Sequence, residues 1–264
     1  MNDARQLLIR YLEQRVALGE GAVWFNRADD LVLPETLKGG KNKVAEPQNA
    51  SWRNGAPAIP GGGIVIPRPS EDLFTDDPLG TVDLAGLAAS VSDCTKCGLC
   101  KTRKNTVPGE GSPTARLVLV GEGPGATEDE TGRPFVGRAG ELLTDILKAI
   151  GLPREEVYIC NIVKCRPPQN RKPAQDEIEA CIGYLHRQLE FIRPAVILAM
   201  GGTAAETLLG TKQSLGSMRN QVHEFWGIPV VVTYHPAALL RNPNWKKPTW
   251  DDVRIARQLV DLEA

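Results

Sequence analysis

The amino-acid sequence predicts an α/β fold: a three-layer αβα sandwich around a four-stranded parallel sheet, preceded by an N-terminal helix and a largely irregular linker. Two observations carry that prediction. Short apolar runs such as Leu117-Val118-Leu119-Val120 break off into Gly- and Pro-bearing turns, the pattern of central strands covered on both faces. Segments with a helical apolar period alternate with those runs, as right-handed crossovers between parallel strands require.

Residues 3–18 predict a helix, because Leu7, Leu8, Tyr11, Leu12 and Val16 recur at helical spacing behind Asp3. From Gly19 to about Gly80 the periodicity dissolves among Gly39-Gly40, Pro47, Pro57, Pro60-Gly61-Gly62-Gly63, Pro67 and Pro69. That composition predicts a flexible extension, with a loop-rich layer packed on the main domain as the competing reading. The expected division is 1–80 for helix and extension and 81–264 for the α/β domain. A short helix over 81–92 leads into the first cysteines. Strands are predicted over 116–120, 157–160, 195–200 and 229–233, and helices over 138–150, 174–192, 203–209 and 250–262.

A parallel sheet gathers the residues that follow its strands along one edge, where such sheets bind ligands. Here those residues are Gly121, Glu122, Gly123, Pro124 and Gly125, then Asn161, Gly201-Gly202 and His235-Pro236. An acid, an amide and an imidazole are therefore expected in one crevice. The turn after the first strand follows neither the G-x-G-x-x-G dinucleotide pattern nor the lysine-bearing phosphate loop.

No apolar run is long enough to span a bilayer, and the N-terminus shows no basic leader with an apolar core. A cytoplasmic, monomeric protein without membrane contact is expected. The net charge of −1 conceals an asymmetry: residues 1–93 hold nine basic and thirteen acidic side chains, residues 94–264 twenty-two and nineteen. Two segments are more basic still. Lys96, Lys101, Arg103, Lys104 and Arg116 face only Glu110, and Lys164, Arg166, Arg171 and Lys172 face no acid over 161–173. Such patches can neutralise phosphates, although a solvated face produces the same pattern.

Six cysteines occur, all after residue 93. Cys94 and Cys97 have the two-residue spacing that lets two thiolates reach one metal, and Cys165 and Cys181 form the partner pair. Four thiolates suit a structural zinc or a [4Fe-4S] cluster. Cys160 reads as a buried small apolar residue and Cys100 as a spare thiol.

Taken together, CTKCGLCKTR at 94–103, GEGPGATEDETGRPFVG at 121–137, YICNIVKCRPPQNR at 158–171 and YHPAALLRNP at 234–243 resemble the thermophile-type, family 4 uracil-DNA glycosylases. The likeness runs from Cys94 to the C-terminus. It implies a [4Fe-4S] cluster on Cys94, Cys97, Cys165 and Cys181, with structural zinc as the alternative. It implies a uracil pocket of Gly121, Glu122, Gly123, Phe135, Asn161 and His235, with Glu122 and His235 catalytic. Uracil-containing DNA, single- or double-stranded, is the expected substrate.

The chemistry of those residues agrees. A base must leave the stack before it can be excised, and Phe135 offers a flat apolar face for it. Asn161 can donate to a carbonyl and accept from a ring N–H, matching the edge of uracil. His235 can hold the oxygen on which the departing base gathers charge, and Glu122 can orient water and stabilise a cation-like sugar. Leu240 is a candidate wedge, with Arg241, Lys164 and Arg166 as candidate DNA contacts. Gly125 is too small to exclude the methyl of thymine, a task left to Glu128 or another pocket residue. No histidine lies in RPPQNRKP at 166–173, which favours hydrolytic release over covalent trapping of the sugar. Two rival readings stand beside this one. One is a non-catalytic iron–sulfur DNA-binding or polymerase-associated module of the same fold, and the other is an α/β enzyme acting on a small phosphorylated molecule. The N-terminal helix is expected to dock a protein partner.

Overall fold

Leu117–Gly121 is buried along its whole length and sits at the centre of the sheet, as its uninterrupted apolar sequence requires. The computed structural model describes residues 50–69 and 83–262. The helix expected over 3–18 lies outside the described residues.

The first elements are β1 (Val65–Ile66), α1 (Leu84–Ser92), β2 (Glu110–Gly111) and β3 (Leu117–Gly121). Two helices follow, α2 (Ala126–Thr131) and α3 (Arg138–Ala149), before β4 (Tyr158–Asn161). The long α4 (Gln175–Ile192) crosses to β5 (Val196–Met200). Then come α5 (Gly202–Leu209), α6 (Leu215–Met218), β6 (Val222–Phe225), β7 (Ile228–Thr233), α7 (Pro236–Arg241) and α8 (Lys246–Leu262).

The sheet has seven strands, not four, in the order β1-β6-β7-β5-β3-β4-β2. The four expected strands are its parallel centre, β7-β5-β3-β4. At one margin β6 runs antiparallel to β7 and carries β1, and at the other β2 runs antiparallel to β4. The three added strands have two to four residues, too few to establish a period in the sequence. Short margins also limit edge-to-edge pairing with other chains.

Side chains alternate across the sheet and produce three layers. Val118 and Val120 pack with Leu87, Val91, Leu185 and Leu208 of α1, α4 and α5. Leu117 and Leu119 pack with Leu143 and Leu147 of α3 and Val253 and Val260 of α8. Within the parallel centre the chain passes from β3 outward to β4, then back across β3 to β5. The crevice beyond β3 and β5 is thus a topological switch point, where open α/β sheets bind ligands.

The Pro/Gly-rich extension departs from expectation over its described part. Residues 50–69 pack as a layer on the α/β body. Trp52 is 1% exposed, with the Arg257 guanidinium 5.3 Å from its ring centroid. Gln258 donates to Pro57 O and Arg254 to Asn54 O, which fixes this stretch on α8. Ile64 N–H donates to His223 Nδ1 at 2.9 Å, and Glu224 and Trp226 N–H donate to Ile64 and Ile66 carbonyls at 2.8 Å. Backbone pairing and one large aromatic anchor the segment, and neither leaves periodicity in a sequence. Among the described residues no helix is long and apolar enough to cross a membrane.

Replacing Trp52 with Ala should therefore cost about 3–5 kcal/mol of stability, the usual toll for emptying a buried aromatic site. Urea unfolding of the full chain measures it. A loss below about 1 kcal/mol would show that this layer adds no packing.

Candidate active site

Past their last paired residues, β3 and β4 stay hydrogen-bonded. Ile162 N–H donates to Gly121 O at 2.9 Å and Val163 N–H to Glu122 O at 3.1 Å. Gly121 is the partner of Asn161 in the register, so Glu122 and Asn161 leave the sheet side by side. A Cβ on Gly121 would lie 2.4 Å from Asn161 Oδ1 and 2.6 Å from Phe135 Cζ. Only glycine admits both neighbours there.

Glu122, Gly123, Phe135, Asn161 and His235 all line one cavity of about 700 Å³. Thr203, in the first turn of α5, donates its hydroxyl to Glu122 Oε2 at 2.5 Å and fixes one oxygen of that carboxylate. Asn161 is 1% exposed, and its Oδ1 is buried without a hydrogen-bond partner. An unpaired buried acceptor costs about 1–3 kcal/mol, which a ligand N–H would recover. The Asn161 carbonyl is held by the Lys164 ammonium at 2.8 Å, and that ammonium also donates to Gln188 Oε1 at 2.7 Å.

Phe135 has φ of +50°, a left-handed conformation that costs a bulky residue about 1–3 kcal/mol. The surroundings impose it. Arg154 donates to the Phe135 carbonyl at 2.8 Å and to the Pro134 carbonyl, and Glu128 Oε1 accepts from Val136 and Gly137 N–H at 3.0 Å each. A Cβ on Gly140 would lie 1.8 Å from Phe135 O, so α3 reaches this loop only through glycine. The Phe135 ring ends 5.3 Å from that of His235.

His235 caps α7, accepting from Ala237 N–H through Nδ1 at 3.1 Å. With Nδ1 an acceptor, the neutral ring carries its proton on Nε2 and can donate it to a ligand. Burial, helped by the nearby Arg241 charge, pushes the imidazole pKa down to about 4, so the ring is neutral at physiological pH.

Polar lining groups that escape a sequence reading include Thr203, Tyr234 and Trp245. Thr203 had a signal in its place directly after Gly201-Gly202 at a strand end, and Tyr234 in its place before His235. Glu128 lines the cavity too, but its Oε1 is committed to the Phe135 loop.

The candidate DNA contacts divide. Leu240 is 42% exposed and Arg241 is exposed on the cavity lining, whereas Leu239 is buried in the core. Arg166 is half-buried and donates to Asn170 Oδ1. Lys164 is the correction. It is 1% exposed, with its ammonium engaged as described, and it cannot reach DNA. Four residues of basic sequence looked like one loop, but Lys164 follows β4 so closely that its side chain turns into the core.

Cys94, Cys97, Cys165 and Cys181 line a second, small cavity, joined by Cys100. Arg103 donates to Cys165 Sγ at 3.2 Å, and the Lys164 N–H to Cys181 Sγ at 3.3 Å. Burial pushes the Cys97 and Cys165 thiols up and that of Cys181 to about 11. Among the described residues no three His, Cys, Asp or Glu side chains close on a point where one metal ion could be held. Cys160 is fully buried in β4, as expected.

A family model for the uracil DNA glycosylase superfamily matches residues 108–256. The chain is 47% identical to a type-4 uracil-DNA glycosylase of Thermotoga maritima, over 66% of its own length and 92% of the relative's. It is 46% identical to the type-4 enzyme of Pyrobaculum aerophilum, over 61% and 87%. Against that of Archaeoglobus fulgidus the identity is 44%, over 67% and 92%.

Gly121→Ala should lower stability by about 1–3 kcal/mol through overpacking and move the Phe135 ring away from His235. Thermal unfolding reads the first effect, and ring-proton shifts of His235 in NMR spectra read the second. An unchanged His235 spectrum would show that the glycine is dispensable to this geometry.

Proposed function

The chain belongs to the uracil DNA glycosylase superfamily, and from that membership and the cavity just described we propose that it excises uracil from DNA. It hydrolyses the bond between the base nitrogen and the sugar carbon and leaves an abasic site. The single observation that carries this reading is the shared cavity of Glu122, Phe135, Asn161 and His235. The same intact set argues against a non-catalytic module, which would have no need of it.

An everted uracil lies on the Phe135 ring. The orphaned Asn161 Oδ1 accepts from its ring N–H, and the amide group donates to the adjacent carbonyl. Cytosine reverses that pattern and leaves buried polar groups unpaired, a mismatch worth several orders of magnitude. As the bond stretches, negative charge gathers on the base and the His235 Nε2–H donates to the oxygen that carries it. The Glu122 carboxylate, one oxygen engaged by Thr203, uses the other to orient water toward the cation-like sugar. Release is hydrolytic and monofunctional: among the described residues the cavity's one histidine caps α7 and its one lysine, Lys172, is paired with Glu206.

Cys94, Cys97, Cys165 and Cys181 fit a [4Fe-4S] cluster, because these thiols, with Cys100 beside them, line one cavity where a guanidinium donates to Cys165 Sγ and a backbone N–H to Cys181 Sγ. When bound, the cluster supplies a cross-link between the segment after α1, the loop after β4 and α4. Leu240 and Arg241 face DNA as wedge and phosphate contact.

Purified, cluster-loaded protein should convert uracil-containing oligonucleotides to alkali-labile abasic sites, and a kcat/KM profile should stay level through pH 6.5 and fall only near pH 4. Absence of cleavage sinks the reading. An acid limb near pH 6.5 that vanishes in His235→Ala would show that the imidazole works charged. The same depressed value makes stability decline as pH falls from about 6.5 toward 4, because unfolding lets the imidazole take up a proton.

Cys165→Ser should lose the brown colour and most of the iron, and should lower the unfolding midpoint. Full iron content in that variant would remove Cys165 from the ligand set.

A further inference from the structure

We propose that Tyr234 and Trp245 form a second subsite of the same cavity, which stacks an unpaired nucleobase adjoining the one excised. This rests on the uracil-excision reading and specifies the strand that the site grips. The cavity is larger than one pyrimidine requires, since about 700 Å³ lies in the range that encloses a drug-sized ligand. Phe135 and Asn161 are its buried part, whereas half-buried Trp245 and exposed Arg241 belong to the same lining.

The two rings lie parallel, with centroids 4.7 Å apart and planes inclined by 1°. The Arg219 guanidinium stands 4.6 Å from the Tyr234 centroid. Two groups that close cannot share one face of a phenol, so Tyr234 is sandwiched between Arg219 and Trp245. Arg219 is itself fixed: Nε and Nη2 donate to the two oxygens of buried Asp252 at 2.8 and 2.9 Å, and Thr233 donates to Asp252 at 2.7 Å. A column thus rises from the core through an arginine and a phenol to an indole at the cavity. Its last ring stacks on Tyr234 and stays half-buried on the cavity lining.

Trp245 keeps part of its surface open on the cavity lining, whereas Trp52 is covered to 1% exposure. Rings held rigid before binding lose little entropy on receiving a partner. Base–aromatic stacking accepts any base, because every base has a π-face, but it requires that the base be unpaired. Arg241 supplies a cation for the phosphate nearby. The ligand is therefore a single-stranded or locally opened stretch of DNA at least two nucleotides long.

The test uses the full chain and single-stranded oligonucleotides with one uracil, flanked by ordinary bases or by an abasic tetrahydrofuran residue on one side or the other. In the wild type, removing one particular neighbouring base should lower kcat/KM by roughly five- to a hundredfold, the size of one base–aromatic stack, through KM. In Trp245→Ala the ratio between the two substrates should fall toward one, and Trp245→Phe should keep most of it. A wild-type ratio near one for both flanks overturns the subsite, as does a ratio unchanged in Trp245→Ala. Should Trp245→Ala fail to fold, the wild-type ratio still decides. If the wild type releases uracil from none of the substrates, the excision reading itself fails. Excision without regard to the neighbours removes only the subsite.

Discussion

The register between β3 and β4, carried two residues beyond the strands, is the constraint on which the site depends. It sets Gly121 opposite Asn161 and locks the Glu122 carbonyl to Val163 N–H. A slip by one residue would turn every side chain of the strand to the other face of the sheet. Asn161 would then leave the cavity and Gly121 would no longer lie beneath the Phe135 ring. Because both strands are buried on both faces, such a slip would also misplace the two apolar layers. The packing that stabilises the domain therefore also aligns an acid and an amide to within the tolerance of hydrogen bonds.

A second constraint runs from the thiol cavity to the same amide. Lys164 sits between Asn161, whose carbonyl its ammonium holds, and Cys165, and its N–H meets Cys181. A buried ammonium is expensive unless its hydrogen bonds are made, and burial drives its pKa down. Gln188 of α4 receives the second bond and is itself tied to the Pro108 carbonyl and the Tyr158 hydroxyl. The segment from Asn161 to Cys165 is consequently pinned at both ends: to the sheet through the amide residue and to α4 through the thiols. Loss of order at the cysteines would be felt at the pocket through three residues of backbone.

The central strands, the long helices and the convergence of Glu122, Asn161 and His235 were all legible in the sequence, because each rests on apolar period or on position after a strand. What was not legible depended on backbone pairing or on the direction of one side chain. β1, β2 and β6 are too short to show alternation, and residues 50–69 adhere through carbonyls, one histidine and Trp52. Lys164 read as part of a basic loop because a charge in a sequence does not reveal whether it points inward. Phe135 was recognisable as a loop aromatic, but the left-handed backbone that aims it depends on Arg154 and Glu128, distant or unremarkable in the chain.

The neutral state of His235 follows from burial and the nearby Arg241 charge, which outweigh the opposing Glu128 carboxylate. Protonating the imidazole would require desolvating a cation near Arg241 and would also abolish the Nδ1 acceptor that caps α7. The two costs reinforce each other: helix capping by itself contributes about 1 kcal/mol, and burial disfavours the charged ring further. The tautomer is thereby fixed with its proton on the cavity side. A neutral donor binds a neutral ground-state carbonyl weakly and gains strength as the oxygen acquires charge in a water-poor cavity. An imidazolium would hold the ground state more tightly as well, so part of its interaction would be spent before the bond breaks. In the proposed reaction, capping a helix with this ring would join a structural duty to an electrostatic one.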